Sequence, residues 1–370
     1  MIGSFLSMTS KKITPTEKKP PRSFFGGLLC GLLTFVLLAG VFEGICRTGW
    51  VDNALPLRSV GNYHTQFETK WFKLEDYVRV NGGVDVILLG NSMVNTGVDP
   101  EVVAAKYKEL TGQDVRIFNF GVEGLTIAPM SDLAQILVEK YHPRVIILYT
   151  EMRDYIAGNG DDVTRKFLAN AFIQQQLGNP SIEGYLESNS AALQRLLPFR
   201  YASRADFLDT YILDARRFSE TTAQGYEADR QTGENIDTLP NPADPNDAKT
   251  FALFKNYTMD PGRIADLESI LAYKQQGTVV IVTELPTYPT YYAFLENASD
   301  QQKYQVDLQQ IVEANGGYLL PTVSSDLIPL ADRVDNHHLN FKGAPIYSAL
   351  LGGQLADLCT LQQVCLLAEG

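Results

Sequence analysis

The chain has 370 residues, with 31 Lys+Arg against 43 Asp+Glu and a formal net charge of −12 at pH 7. It is 45% hydrophobic and 10% aromatic, enough for a packed core, which excludes a disordered or collagen-like chain. A mean hydropathy of −0.09 excludes a polytopic membrane protein. The charge is unevenly spread. Lys11, Lys12, Lys18, Lys19 and Arg22 precede the first apolar run with Glu17 as their one acid, whereas from Cys46 onward 26 basic residues face 41 acids. So acidic a body lacks the clustered Lys/Arg that a phosphate backbone requires, and nucleic acid is not an expected partner.

From Phe24 to Phe42 nineteen residues carry no charge. At 1.5 Å per residue they make a helix of about 28 Å, close to the hydrocarbon thickness of a bilayer. A cleaved signal peptide would have a shorter apolar run and small residues at its end, whereas here EGICRTGW follows. Cys30 and Cys46 follow Leu29 and Ile45, which suits lipoprotein cleavage poorly. The chain therefore divides into a basic tail (1–23), a transmembrane anchor (24–45), a linker or entry segment (46–80) and one domain (81–370). By the positive-inside rule the tail is cytoplasmic and the body lies outside the membrane, periplasmic or extracellular. Glu43, at the far end of the helix, reads as an interfacial boundary residue.

Within the body, VDVILLG (84–90), VRIFNFG (115–121), RVIILYT (144–150) and TVVIVTE (278–284) are continuously apolar and rich in β-branched residues. That pattern predicts strands buried on both faces of a parallel sheet. Helical patterns fall at 100–111, 129–141, 260–276, 300–314 and 343–357, two of them opened by Pro100 and Pro129. The alternation predicts right-handed βαβ units in a three-layer α/β/α sandwich. Residues 158–258 break the rhythm with helical pieces such as VTRKFLANAFIQQQL and a polar stretch of Pro, Asp and Asn that reads as a surface loop. An insertion of that size between two core strands is expected to cap the strand ends.

Ligands of an open parallel sheet bind beyond the carboxyl ends of its strands. Gly90-Asn91-Ser92-Met93 follows the first strand, where a tight turn exposes the Ser92 hydroxyl beside backbone N–H groups. Asn119-Phe120-Gly121-Val122-Glu123-Gly124 closes the second strand, and its glycines let backbone donors approach a reacting group. Glu151-Met152-Arg153-Asp154 follows the third, and Asp335-Asn336-His337-His338-Leu339-Asn340 precedes the last long helix. Residues i and i+3 share a face of a helical turn, so Asp335 can orient His338 while His338 takes a proton from Ser92.

Taken together, G-x-S, N-x-G-x-x-G and D-x-x-H-L-N in this order resemble the SGNH (GDSL-like) hydrolase superfamily, over roughly residues 82–355 and without the insertion. The resemblance implies a flavodoxin-like sandwich with a five-stranded parallel sheet. It also implies Ser92 as nucleophile, His338 as general base rather than His337, Asp335 as orienting acid, and the N–H groups of Ser92 and Gly124 as oxyanion donors. Two blocks depart from the pattern: Asn91 stands where the hydrolases usually have Asp, and Arg153 stands about where an oxyanion-binding Asn is expected. Arg153 can donate to an oxyanion or bind a carboxylate, or it can pair with Glu151 or Asp154. With the single anchor, these departures look like the cell-envelope branch, which includes proteins similar to those of alginate acetylation and teichoic-acid D-alanylation. The expected function is a membrane-anchored acyltransferase or esterase on an O-acylated envelope or secreted polysaccharide, with no cofactor or metal and with other envelope-assembly proteins as partners. The alternative is a non-catalytic glycan-binding or scaffolding component.

Other residues are less specific. Asn95 and Thr96 either line the pocket or cap a helix. Tyr288, Tyr291 and Tyr292 either stack on sugar rings or pack. Glu284 faces the cleft edge or forms a salt bridge, and His64 and His142 lack partners nearby in sequence. Asn297 opens a glycosylation sequon. Cys359 and Cys365 could pair in an oxidising compartment, but six positions along a continuous helix lie too far apart for a disulfide. There is no zinc-type His/Cys cluster.

Overall fold

The computed structural model describes residues 22–52, 54–234 and 236–367. The basic tail before residue 22 lies outside the described residues. Two units are distinguished, one ending at Val51 and one beginning at Asp52. In the first, α1 (Arg22–Arg47) contains 23 residues from Phe25 that are long and apolar enough to cross a membrane. Glu43 pairs with Arg47 one turn later at 2.7 Å, near the polar end of the helix.

The second unit is built on five parallel strands: β1 (Val86–Gly90), β2 (Ile117–Gly121), β3 (Val145–Tyr149), β4 (Val279–Thr283) and β5 (Tyr318–Leu319). Their order is β2-β1-β3-β4-β5, the doubly wound arrangement. The four runs read from sequence are the four long strands. The fifth has two residues and sits at an edge, too short to show as a hydrophobic run. Gly90 lies opposite Gly121 and Tyr149 opposite Thr283, so the strands end level and their following turns meet above the sheet.

Alternate strand residues feed two cores. One face (Ile87, Leu89, Phe120, Leu148 and Val282) is covered by α2 (Thr65–Asn81), α5 (Ile127–Tyr141), α12 (Pro261–Leu271) and α13 (Ser299–Ala314). The other (Val86, Leu88, Ile117, Ile147 and Ile281) is covered by α3 (Ser92–Gly97), α4 (Pro100–Thr111) and α14 (Gly343–Gln362). The result is the α/β/α sandwich, with helix α4 started by Asp99, whose side chain accepts from Glu101 N–H, and by Pro100.

Helix α2 corrects the reading of 46–80 as a linker. Phe67, Trp71, Phe72 and Leu74 fall at helical spacing and are buried, and Trp71 packs edge-on against Phe172 of the insertion. His64 caps this helix and Gly82 ends it in the left-handed region, at φ 72°. The stretch is polar on average, yet one face of it is apolar.

The insertion forms α6 (Asp161–Leu168), α7 (Ala171–Gln176), α8 (Ile182–Asn189), α9 (Ala191–Leu196), α10 (Phe207–Glu220) and α11 (Pro245–Phe254). The polar stretch before α11 is loop, but it is more than surface. Asn119 N–H donates to Gln224 O at 2.8 Å and Gly233 N–H to Arg333 O at 3.0 Å, so the loop straps the outer edge of β2 and reaches the histidine loop. At the other end of the chain, α14 stops at Gln362, Gln363 takes φ 58°, and the backbone turns back. Cys359 and Cys365 thereby come to a Cα separation of 4.2 Å and form a disulfide. Continuation of the helix, which would have kept them apart, does not occur.

Candidate active site

Ser92 is the first residue of α3, so its N–H is one of the donors that a helix start leaves without an intrahelical partner. Asn91 caps this helix, its Oδ1 accepting from Met93 N–H at 2.9 Å. That explains Asn in place of Asp: the carbonyl oxygen caps, and the amide is left over to donate. The close approach of α3 to β2 is made possible by Gly121, where a Cβ would lie 2.4 Å from Asn95 N.

Ser92 Oγ lies 2.8 Å from His338 Nε2, across 246 residues of chain. His338 Nδ1 lies 2.8 Å from Asp335 Oδ2, and Asp335 Oδ1 accepts from the backbone N–H groups of His337 (2.8 Å) and His338 (2.7 Å). Burial pushes the Asp335 carboxyl up, but the hydrogen bond to His338, the charge interactions with the two imidazoles and the His337 N–H outweigh it and hold the group well below the usual carboxylate range. A carboxylate fixed in this way accepts the Nδ1 proton, which leaves Nε2 with the lone pair that faces the Ser92 hydroxyl.

The cleft around these groups has a volume of about 550 Å³ and includes Ser92, Gly124, Arg153, Asn159, Gly160, His337 and His338 in its wall. Gly124 sits at φ 75°, a conformation that favours glycine. The insertion supplies Asn159, Gly160, Asp162, Val163 and Leu253, in line with its expected position over the strand ends.

Glu151 is a residue that sequence reasoning treated only as a possible partner of Arg153. It is buried, and its Oε1 accepts from Arg153 Nε at 2.6 Å and from Asn91 Nδ2 at 2.9 Å, while its Oε2 accepts from Tyr291 OH at 2.9 Å. Burial pushes this carboxyl up, and the Arg153 guanidinium and the Tyr291 hydroxyl more than offset it, leaving an ionised group. The neighbouring Asp154 is pushed far up by burial and by the Glu151 charge. Arg153 therefore lines the cleft and pairs with Glu151 at once. Only its Nε is committed to that carboxylate, and the guanidinium carries four further N–H donors.

His337 is distinct from His338. Burial, and then the neighbouring imidazole, lower it to about 3, so it stays neutral between Tyr291 (ring centroids 5.4 Å apart) and His338 (4.0 Å). Asp335, His337 and His338 could in principle offer a metal three ligand atoms, all within 4.8 Å of one another. In this geometry the short Asp335–His338 and Ser92–His338 contacts are occupied by hydrogen bonds.

Asn95 and Tyr288, expected to bind substrate, are placed elsewhere. Asn95 is 2% exposed and donates from Nδ2 to Glu227 Oε2 at 3.0 Å, which ties α3 to the insertion. Arg217 and Gln66 donate to the same carboxylate at 2.9 and 3.0 Å. Tyr288 packs under Arg333, whose guanidinium lies 5.7 Å from the ring, and its N–H donates to Asn336 O at 2.6 Å. Glu284 forms no salt bridge among the described residues. It is buried, pushed up to about 7 by burial, and accepts from Thr322 Oγ1 at 3.2 Å. His64 caps α2, and its Nε2 lies 2.8 Å from Glu123 O. Beneath the second block, fully buried Lys70 donates to Asn119 O and Oδ1, each at 3.3 Å, and to Gly225 O. Asn119 Nδ2 in turn donates to Val94 O and Val98 O at 2.7 Å, holding α3 from below.

No protein-family model and no curated protein matches the chain. Among solved structures, a Bacteroides fragilis protein described provisionally as an acylhydrolase aligns with 78% of this chain and 97% of its own, at 12% identity and a TM-score of 0.33.

Proposed function

We propose that the chain is an SGNH-type serine acyltransferase or esterase, anchored in the cell membrane by α1 and acting outside it on an O-acylated envelope or secreted polysaccharide. The observation that carries this reading is the chain of two 2.8 Å contacts from Ser92 Oγ through His338 to Asp335. Ser92 Oγ attacks an ester carbonyl while its proton passes to His338 Nε2. The N–H groups of Ser92 and Gly124 and the uncommitted donors of Arg153 hold the oxyanion. Collapse breaks the ester bond, His338 returns the proton to the departing alcohol, and the acyl group stays on Ser92. A sugar hydroxyl or water then gives its proton to His338 and takes the acyl group, which restores the Ser92 hydroxyl. The Cys359–Cys365 disulfide supports an oxidising compartment for the body.

The test is covalent labelling of the full chain with a fluorophosphonate, together with release of acetate from an acetylated polysaccharide. Both are expected from the wild type and neither from Ser92→Ala; an unlabelled wild type would sink the reading. One observation favours the second reading, a non-catalytic glycan-binding component: the Arg153 that stands in place of the expected Asn is already bound to Glu151. In that case Ser92→Ala and His338→Ala would retain glycan affinity and change nothing else.

A further inference from the structure

The body has an uneven surface. Of the exposed large apolar side chains among its described residues, eight fall between Ile182 and Leu213, while the others, apart from the pair Leu327 and Leu330, are spread singly along the rest of the unit. Ile182, Tyr185 and Leu186 are spaced i, i+3, i+4 and mark one side of α8, with Ile182 83% exposed. Leu208 and Ile212 are one turn apart on α10 beside Leu213, and Leu208 is 69% exposed. The inner side of α10, with Phe207 and Tyr211, stacks instead against Phe199. Among the described residues these faces have no protein partner, and they lie in a region of low net charge: five arginines against six acids between residues 182 and 220, in a body otherwise strongly acidic.

Chain connectivity says what covers them. Five residues lead from Arg47, the last residue of α1, to Asp52, the first of the body, and five extended residues reach at most about 18 Å. The insertion is fastened to that starting point. Arg195 of α9 donates to Leu55 O and to Asp52, Ser59 N–H donates to Gln194 O at 2.9 Å, and Arg200 donates to Ser59 Oγ at 2.7 Å and to Asn62 O at 2.7 Å. Helices α8 and α10 flank this fastened segment in sequence. Trp50, a residue type that settles at the headgroup level, lies within the five-residue connection.

We infer that the outward apolar sides of α8 and α10 rest on the surface of the bilayer that α1 enters, so that the insertion acts as a second, non-spanning membrane contact. Apolar side chains on such a helix enter the boundary between headgroups and acyl chains. The inference rests on the reading of α1 as a membrane anchor, and the experiment separates the two. Full-length protein carrying Cys30→Ala and Cys46→Ala is placed in lipid nanodiscs, with a nitroxide attached at Ile182→Cys, at Ile212→Cys or, as control, at Val80→Cys. Dissolved oxygen should relax the labels at 182 and 212 several-fold more effectively than a water-soluble nickel chelate, with the reverse order at 80. Chelate-dominated relaxation at 182 and 212, as at 80, overturns the inference while leaving the anchor intact. A chain that fails to co-elute with the discs removes both.

Discussion

Asn91 Nδ2 donates to Glu151 Oε1 at 2.9 Å, joining the cap of α3 to the carboxylate that also holds Arg153. Two blocks of the sequence that depart from the hydrolase pattern are thus joined by one hydrogen bond. Asn91 is suited to this arrangement because an Asp there would place a second negative charge against Glu151.

Replacing Glu151 with Gln should therefore disturb the cleft without touching Ser92. Arg153 loses its anion and the Tyr291 hydroxyl meets an amide N–H where it had an acceptor, while the Gln oxygen can still accept from Asn91, at a cost of about 2–4 kcal/mol in stability. A lowered thermal midpoint and slower fluorophosphonate labelling of Ser92 are expected together. A midpoint equal to that of the wild type would show that the carboxylate is not the hub described.

Asp335→Asn should keep the fold and lose the chemistry. The Asn oxygen can still accept from the two backbone N–H groups, but its amide faces His338 Nδ1 and favours the tautomer with the proton on Nε2. A fall in kcat of about 10³–10⁴-fold with KM little changed is expected. Steady-state kinetics beside a thermal melt checks both halves of the statement.

Arg153→Ala tests whether the guanidinium contributes beyond its ion pair. Loss of one oxyanion donor costs about 10²–10³-fold in kcat. An unchanged kcat with only a lower thermal midpoint would mean that its role is confined to pairing with Glu151.

Glu284 gives a prediction in pH. Its folded carboxyl, raised to about 7 by burial, keeps a proton that the unfolded chain releases above its ordinary carboxyl pKa near 4.5. The folded state then binds more protons, so stability falls as pH rises from about 4.5 to 7. Glu284→Gln should remove this slope and gain on the wild type by up to about 3 kcal/mol across that window. Thermal midpoints at pH 5 and pH 8 measure the difference; parallel shifts in both proteins would refute it.

The long strands and the juxtaposition of Ser92, His338 and Asp335 were legible in the sequence because both leave strong local marks. Val86 to Leu89 and Val145 to Leu148 are buried on both faces and so are uniformly apolar, while Asp335 and His338 are close enough in sequence to be read as one turn. What was missed depends on partners distant in sequence. Asn95 reads as a pocket residue until Glu227, 132 positions away, is placed beside it. Helix α2 was hidden by the polar average of a segment whose buried face is only a few residues wide. The turn at Gln363 that closes the disulfide requires a left-handed residue that is not glycine, which no spacing rule anticipates.

The distance along the chain between Ser92 and His338 has a consequence for biogenesis. At about 5–20 residues per second, the ribosome needs some ten to fifty seconds to travel from the codon of one to that of the other. During that interval the Ser92 hydroxyl has no His338 beside it. A chain ending before Asp335 would lack both side chains that complete the contact to Ser92. Ser92 is thus made well before the loop that supplies its hydrogen-bond partner, and the Ser92–His338–Asp335 geometry is complete only once residues 335–338 have been added.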